Sequence, residues 1–272
     1  MHISKGRGKG KMKYDNLIFE KVDQVAIFRL NRPRAFNAAD IGLFEDLIKA
    51  LEVCTVDEEV KVIIITGEGK AFCAGGDVAM FKSSPDPGEA IRQLTKRLHF
   101  TISGIRRVPK PVIAMINGTA AGAGISLAAA CDLRICASSV KFRQAYTSIG
   151  LVPDGAWTLL VPLLIGFSKA SELAYLDPVF DAKEALAMGL VNQVVEDGEL
   201  ERTTREVALK LARGATLSYA IVKKNFNEAL LGLLERMLEL ERGGIIRAGK
   251  TKDAREGIAA FIEKRQPSFK GQ

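Results

Sequence analysis

The sequence predicts an α/β fold followed by a C-terminal helical region, on three observations. Short apolar runs rich in β-branched residues alternate with longer segments at helical spacing. Glycine-rich turns join several of these pairs, and helical patterning takes over after Pro153. The 272 residues suit one large α/β domain with a helical appendage. A hydrophobic content of 47% and a charged content of 26% are those of an ordinary globular protein. They exclude intrinsic disorder, a collagen-like chain and a multi-pass membrane protein.

In chain order, residues 1–13 form a Gly/Lys-rich tail that is expected to be disordered. Asn16–Val22 and Gln24–Leu30 read as two strands parted by a turn at Asp23. Asn31-Arg-Pro-Arg34 breaks the second strand, and Asp40–Leu51 repeats apolar residues at helical spacing. Val60–Thr66 is nearly continuously apolar, as in a strand buried on both faces. A glycine-rich loop over 67–76 follows, then a long helix from about Gly88 to Arg107, ended by Pro109 and Pro111. Val112–Ile116 is the next strand, Gly118–Gly124 a second glycine-rich turn and Ile125–Cys131 a small-residue helix. Asp132–Ala137 and a segment around Leu190–Val195 complete the expected strands. No internal repeat is visible. The expected division is a tail over 1–13, an α/β core over 14–200 and a helical region over 201–272.

The net charge of +7 is unevenly spread. The tail holds five basic residues and no acidic one, and residues 247–272 carry +4, leaving the middle at −2. A broad nucleic-acid-binding face is therefore not expected. Cys54, Cys73, Cys131 and Cys136 include no C-x-x-C pair and fit a reducing compartment. The N-terminus lacks the apolar stretch of a signal peptide, and no apolar run reaches a membrane span of roughly 18–20 residues. A soluble, cytoplasmic protein is expected.

Several chemistries are excluded. With His2 in the tail and His99 as the one histidine of the fold, a histidine-containing metal cluster is excluded, and no metal is expected. G-x-S-x-G and the P-loop pattern are absent, and Gly122-Ala-Gly-Ile-Ser-Leu127 departs from a dinucleotide fingerprint. Two loops of small residues remain, Ala74-Gly-Gly-Asp77 and Gly118-Thr-Ala-Ala-Gly-Ala-Gly124, each after a buried strand and before a helix. Two backbone N–H groups converging there would make an oxyanion hole. The alternative is that these glycines only make tight turns.

Together with Asn31-Arg-Pro-Arg-Ala-Phe-Asn-Ala38, Gly69–Asp77, Lys110–Gly118, Ala120–Asp132, Ile149–Gly155 and Gly257–Phe269, the loops resemble the crotonase (enoyl-CoA hydratase/isomerase) superfamily over about residues 14–272. The resemblance implies a spiral of ββα turns, a C-terminal helical region, homotrimers or hexamers, and an acyl-CoA thioester substrate. Coenzyme A would enter as part of that substrate, with no separate cofactor. It further implies Gly76 and Ala123 as oxyanion donors. Arg34, Ala35 and Phe36, with Ala74 and Asp77, would line the CoA path, and Phe261 and Lys264 would reach its nucleotide. Asp77 could instead cap a helix, and Lys264 could be a solvated surface lysine.

Crotonase-type hydratases place two glutamates where this chain has Ser126 and Tyr146. Eight residues after Tyr146 stands Asp154, where the family's isomerases carry a single acid. A thioester polarised by Gly76 and Ala123 would lose its α-proton to Asp154 and regain it at the γ-carbon. Asp154 could alternatively cap the helix that follows it. Trp157 stands where relatives carry a small residue and is expected to reshape the acyl pocket. His99 is spaced from Ala123 as in the 4-chlorobenzoyl-CoA dehalogenases, or it is a packing residue. The reading is an enoyl-CoA isomerase. The alternatives are an enoyl-CoA hydratase, a dehalogenase-like hydrolase, and a degenerate homologue that binds acyl-CoA or RNA.

Overall fold

A computed structural model describes residues 14–272, so the basic tail read over 1–13 lies outside the described residues. β1 (Leu17–Val22) and β2 (Val25–Leu30) form an antiparallel hairpin whose turn residues Asp23 and Gln24 both adopt positive φ. The 3-10 turn Pro33–Ala35 interrupts the chain before α1 (Ile41–Val56). Asp40 caps α1 by accepting from Leu43 N–H at 2.8 Å. β3 (Val62–Gly67) follows, then β4 (Ala71–Cys73), α2 (Val78–Ser83) and α3 (Pro87–Arg107). Pro87 at the first turn of α3, after the capping Asp86, suits a helix start, where its missing N–H costs nothing.

β5 (Val112–Ile116), β6 (Thr119–Ala121) and α4 (Ala123–Ala130) repeat the same strand–strand–helix unit. β7 (Leu133–Ala137) and β8 (Lys141–Arg143) begin the next one, which leads through a short 3-10 turn over Thr147–Ile149 to α5 (Trp157–Ile165). α6 (Phe167–Leu176), β9 (Phe180–Asp181), α7 (Ala182–Ala187) and β10 (Gln193–Val195) complete the α/β part. α8 (Leu200–Ala212), the 34-residue α9 (Thr216–Gly249) and α10 (Lys252–Glu263) form the helical end.

Two sheets result. One runs β1-β2-β3-β5-β7-β10, parallel from β2 onward, and the other β4-β6-β8-β9. After the β1–β2 hairpin, the pairs β3–β4, β5–β6 and β7–β8 each send their first strand to the larger sheet and their second to the smaller, which makes the expected spiral of ββα turns. The central strands are buried on both faces. Val62, Ile63, Ile64 and Ile65 are all excluded from solvent, each isoleucine side chain contributing roughly 2 kcal/mol of hydrophobic stabilisation. α3 packs on both α1 and α9, and α5 on α4, α6 and α9, so the long α9 braces the elements that carry the site.

Four strands depart from the sequence reading. β4 and β6 fall inside segments read as glycine loops, and β8 and β9 were not expected. All four are two or three residues long, too short for a period-2 pattern, and β4 carries a register irregularity against β6. Among the described residues no helix is long and apolar enough to cross a membrane.

Candidate active site

The two glycine loops meet in space. Gly75 has φ +105°, and a Cβ built on it would lie 3.3 Å from the Ala121 carbonyl oxygen. A Cβ on Gly124 would lie 2.2 Å from the Cys73 carbonyl, so the approach of α4 to β4 tolerates only glycine there. Ala39 N–H donates to Gly75 O at 2.7 Å, and Asp77 N–H donates to Ala39 O at 2.9 Å, which fixes the peptide between them. Among the described residues, neither Gly76 N–H nor Ala123 N–H has an acceptor within the chain. Ala123 is the first residue of α4, where the helix end supplies partial positive charge.

Both residues line a cavity of about 410 Å³, within the range of small-molecule sites. Ala74, Gly75 and Gly76 form part of one wall with Ala121, Gly122 and Ala123. Ile91, Leu94 and Leu98 of α3, Phe81 of α2 and Ile245 of α9 make the remainder strongly apolar. Among the described lining residues Asp154 is the one carboxylate; Lys141 and Arg143 supply positive charge.

Asp154 is 2% exposed. Its Oδ1 lies 2.6 Å from His99 Nε2 and accepts from Gly155 N–H, also at 2.6 Å. Among the described residues its Oδ2 has no hydrogen-bond partner. With Asp154 ionised, His99 Nε2 carries the proton it donates. The backbone carbonyl of Asp154 accepts from Ser126 Oγ at 2.6 Å and lies 3.5 Å from the Tyr146 hydroxyl. The two hydratase positions thus carry hydroxyls turned onto the Asp154 backbone. Burial, reinforced by the charge of Asp154, raises the Tyr146 phenol well above its ordinary value, so it stays protonated.

Asp154 does not cap α5. The cap position is Ala156, in the left-handed region at φ 61°, with no acceptor in its side chain. Glu241, arriving from α9, accepts instead from Ala156 N–H at 2.6 Å and from Thr158 N–H at 2.8 Å, and also from the Thr158 hydroxyl. Burial pushes the Glu241 carboxyl up to about 7; the charge of Asp154 adds to this and the Thr158 and Ala156 hydrogen bonds oppose it.

The remaining sequence-predicted residues divide. Ala74, Tyr146 and Phe261 line the cavity, Phe261 at 59% exposure. Arg34, Ala35 and Phe36 lie outside its lining but beside its glycine wall, since Ala74 N–H donates to Phe36 O at 3.1 Å. Asp77 caps α2 through Ala79 N–H and pairs with Arg32 at 2.9 Å. Lys264 is exposed at the left-handed end of α10 and is not part of the lining. Ser126 lies behind Asp154 and His99 lies beside it; neither is on the cavity surface. Trp157 does not shape the pocket. It is 2% exposed and starts α5 after the turn at Gly155 and Ala156, which carries its ring into the packing between helices.

Sequence reasoning missed Glu241 and the apolar wall residues Leu94, Leu98 and Ile245. On long amphipathic helices they are indistinguishable from core positions, and no local signal marks them. The four cysteines are buried, and burial pushes Cys73, beside the glycine wall, up to about 11, which excludes a thiolate nucleophile.

Comparison with known proteins agrees with this geometry. The enoyl-CoA hydratase/isomerase family model matches residues 20–272. The chain is 36% identical to a probable enoyl-CoA hydratase of Rhodobacter capsulatus, covering 96% of this chain and all of that protein. It is 35% identical to the 1,2-epoxyphenylacetyl-CoA isomerase of Escherichia coli, covering 91% and 95% respectively. The crystal structure of an enoyl-CoA hydratase from Mycobacterium avium subsp. paratuberculosis is similar with a TM-score of 0.87 at 31% identity, over 95% of this chain and all of that one. The glycine-walled cavity and these matches over nearly the full length establish that the chain belongs to the enoyl-CoA hydratase/isomerase, or crotonase, superfamily.

Proposed function

We propose that this enzyme is an enoyl-CoA isomerase that moves a double bond along an apolar acyl-CoA. The observation that carries the reading is Asp154, the one carboxylate on the described cavity wall, with Ser126 and Tyr146 in place of a second and third. The thioester oxygen accepts from the N–H groups of Gly76 and Ala123. Asp154 Oδ2 removes the α-proton, and the electron pair delocalises onto that oxygen as a dienolate. The same proton returns at the γ-carbon, giving the conjugated 2-enoyl thioester with no net change of atoms. The dry, apolar walls strengthen the two N–H contacts to the enolate. His99 keeps Asp154 Oδ1 occupied, so that Oδ2 faces the substrate.

Separate incubations with a 3-enoyl-CoA and a 2-enoyl-CoA test this. Conversion of the first to the second is expected. Hydration of the 2-enoyl substrate without turnover of the 3-enoyl one would sink the reading.

A second reading rests on the His99–Asp154 contact at 2.6 Å. Asp154 Oδ2 attacking the chlorine-bearing aryl carbon and expelling chloride, with His99 then taking a proton from the water that cleaves the aryl ester to a phenol and restores the carboxylate, would be a dehalogenase-like hydrolysis. Halide release from 4-chlorobenzoyl-CoA would favour it over isomerisation.

A further inference from the structure

We propose that Glu241 is a positioning residue: from α9, its carboxylate holds the turn after Asp154 and so fixes where that acid sits in the cavity. The inference rests on Asp154 as the acting acid, and it adds the element that aims it. Between Asp154 and α5 the chain takes two consecutive left-handed residues, Gly155 at φ 73° and Ala156 at φ 61°. Left-handed backbone at a residue with a Cβ costs roughly 1–2 kcal/mol and persists only where its surroundings hold it.

The first N–H groups of a helix need an acceptor from outside the helix. Here Ala156 offers none, and Asp154 spends its Oδ1 on Gly155 N–H and His99. Glu241 meets the need from 85 residues away, taking Ala156 N–H on Oε2, and Thr158 N–H and the Thr158 hydroxyl on Oε1. Two oxygens receiving three donors describe an ionised carboxylate. Glutamine presents one acceptor oxygen and would set its NH2 against one of the two N–H groups.

The groups facing Glu241 are few. Asp154 across the turn and the Tyr146 phenol, raised in part by the Glu241 charge, are its titratable neighbours, with His99 of α3 behind Asp154. α5 contributes only the Thr158 hydroxyl, since Trp157–Ile165 contains no titratable residue. On its own helix Glu239 pairs with Arg242 at the surface. Glu239 also feels the charge of His99 of α3, and the α3–α9 contacts of Arg107 with Glu235, Arg106 with Asn227 and Lys223 with the Ile105 carbonyl lie six or more residues earlier, roughly 9 Å or more along the axis. Loss of the Glu241 charge therefore frees the turn without a nearby group to replace it.

Trp157, the single tryptophan of the chain, sits between the two residues that Glu241 holds, and among the described residues its indole Nε1 has no hydrogen-bond partner. Its emission reports on this turn without substrate, so the fluorescence arm stands even where the isomerase reading fails. Titrating the wild-type enzyme from about pH 5.5 to 9 is expected to show one emission transition near neutrality. In Asp154→Asn it should persist with a lower midpoint, because a neighbouring negative charge is gone. In Glu241→Gln it should vanish. There kcat on a 3-enoyl-CoA is expected to fall about ten- to a hundredfold, with KM within about threefold. Should Glu241→Gln fail to give a native far-UV spectrum, Thr158→Val serves instead. Removing a donor that favours the charged form should raise the midpoint. A wild type without a transition, a transition unchanged in Glu241→Gln or Thr158→Val, or a folded Glu241→Gln with native kcat and pH profile would each overturn the proposal.

Discussion

The two walls of the cavity are built on opposite principles. The glycine wall, residues 74–76 and 121–123, presents backbone, and its parts are close in sequence to the strands and helix that hold them. The facing turn at 154–158 presents a side chain. It is held by Ser126 from 28 residues before, His99 from 55 before and Glu241, which reaches Ala156 from 85 residues after. Polarising a thioester needs only two N–H groups in a dry place, which one local motif can supply. Deciding where a proton leaves and returns needs a carboxylate fixed in three dimensions, and that takes contacts from three separate helices. In the proposed isomerase, the first wall polarises the thioester and the second decides which reaction follows.

The largest expected effect breaks the second wall alone. Asp154→Asn keeps the shape of the side chain and should lower kcat by about 10³–10⁴-fold, near the upper range of general acid–base catalysis, while acyl-CoA binding stays within a few-fold. A full-activity Asp154→Asn enzyme would move the chemistry elsewhere.

Breaking the first wall is expected to cost less. Ala123→Pro deletes one oxyanion N–H at the first helical position of α4, where proline fits the backbone. A fall in kcat of about 10²–10³-fold is expected in steady-state kinetics, with the helical signal retained. An unchanged rate would show that Ala123 N–H does not meet the enolate.

A third comparison concerns stability. The folded state raises the Glu241 carboxyl from 4.5 to about 7, so folding favours its protonated form. Its stabilising contribution is complete below about pH 4.5 and is lost as pH rises through 7. At about 1.4 kcal/mol per unit this amounts to at most about 3.5 kcal/mol. Denaturant midpoints of the wild type should therefore decline relative to Glu241→Gln between pH 5 and 8, whereas parallel curves would contradict the burial of this charge. A carboxylate that weakens the fold when ionised, and yet holds the turn beside Asp154, fits a role in the site better than one in stability.

The smallest effect is expected from Ser126→Ala. Removing one buried hydrogen bond to the Asp154 carbonyl should lower stability by about 1 kcal/mol, and kcat a few-fold. A loss as large as that of Asp154→Asn would give Ser126 a direct part in the reaction.

The same contrast explains what could be read in the sequence. The continuous apolar run of β3, the proline-delimited end of α3 and the small residues of both glycine loops each declare their structure over a few neighbouring positions. Asp154 was legible as a candidate because Ser126 and Tyr146 leave the hydratase positions without carboxylates. That Asp154 meets His99, and that Glu241 caps α5 in its place, depends on how α3 and α9 pack around the α/β core. Both residues sit on long helices whose periodicity reports burial but not the neighbour. Trp157 illustrates the reverse error. Its position suggested a pocket wall, but the left-handed turn at Gly155 and Ala156 sends it into the core.

The central claim is that one fixed carboxylate moves a proton within the substrate. The most direct measurement is the mass of the product formed from a 3-enoyl-CoA by the wild type and by Asp154→Asn. A conjugated product of unchanged mass that disappears in the variant is predicted. A product heavier by one water, formed equally by both enzymes, would contradict the account.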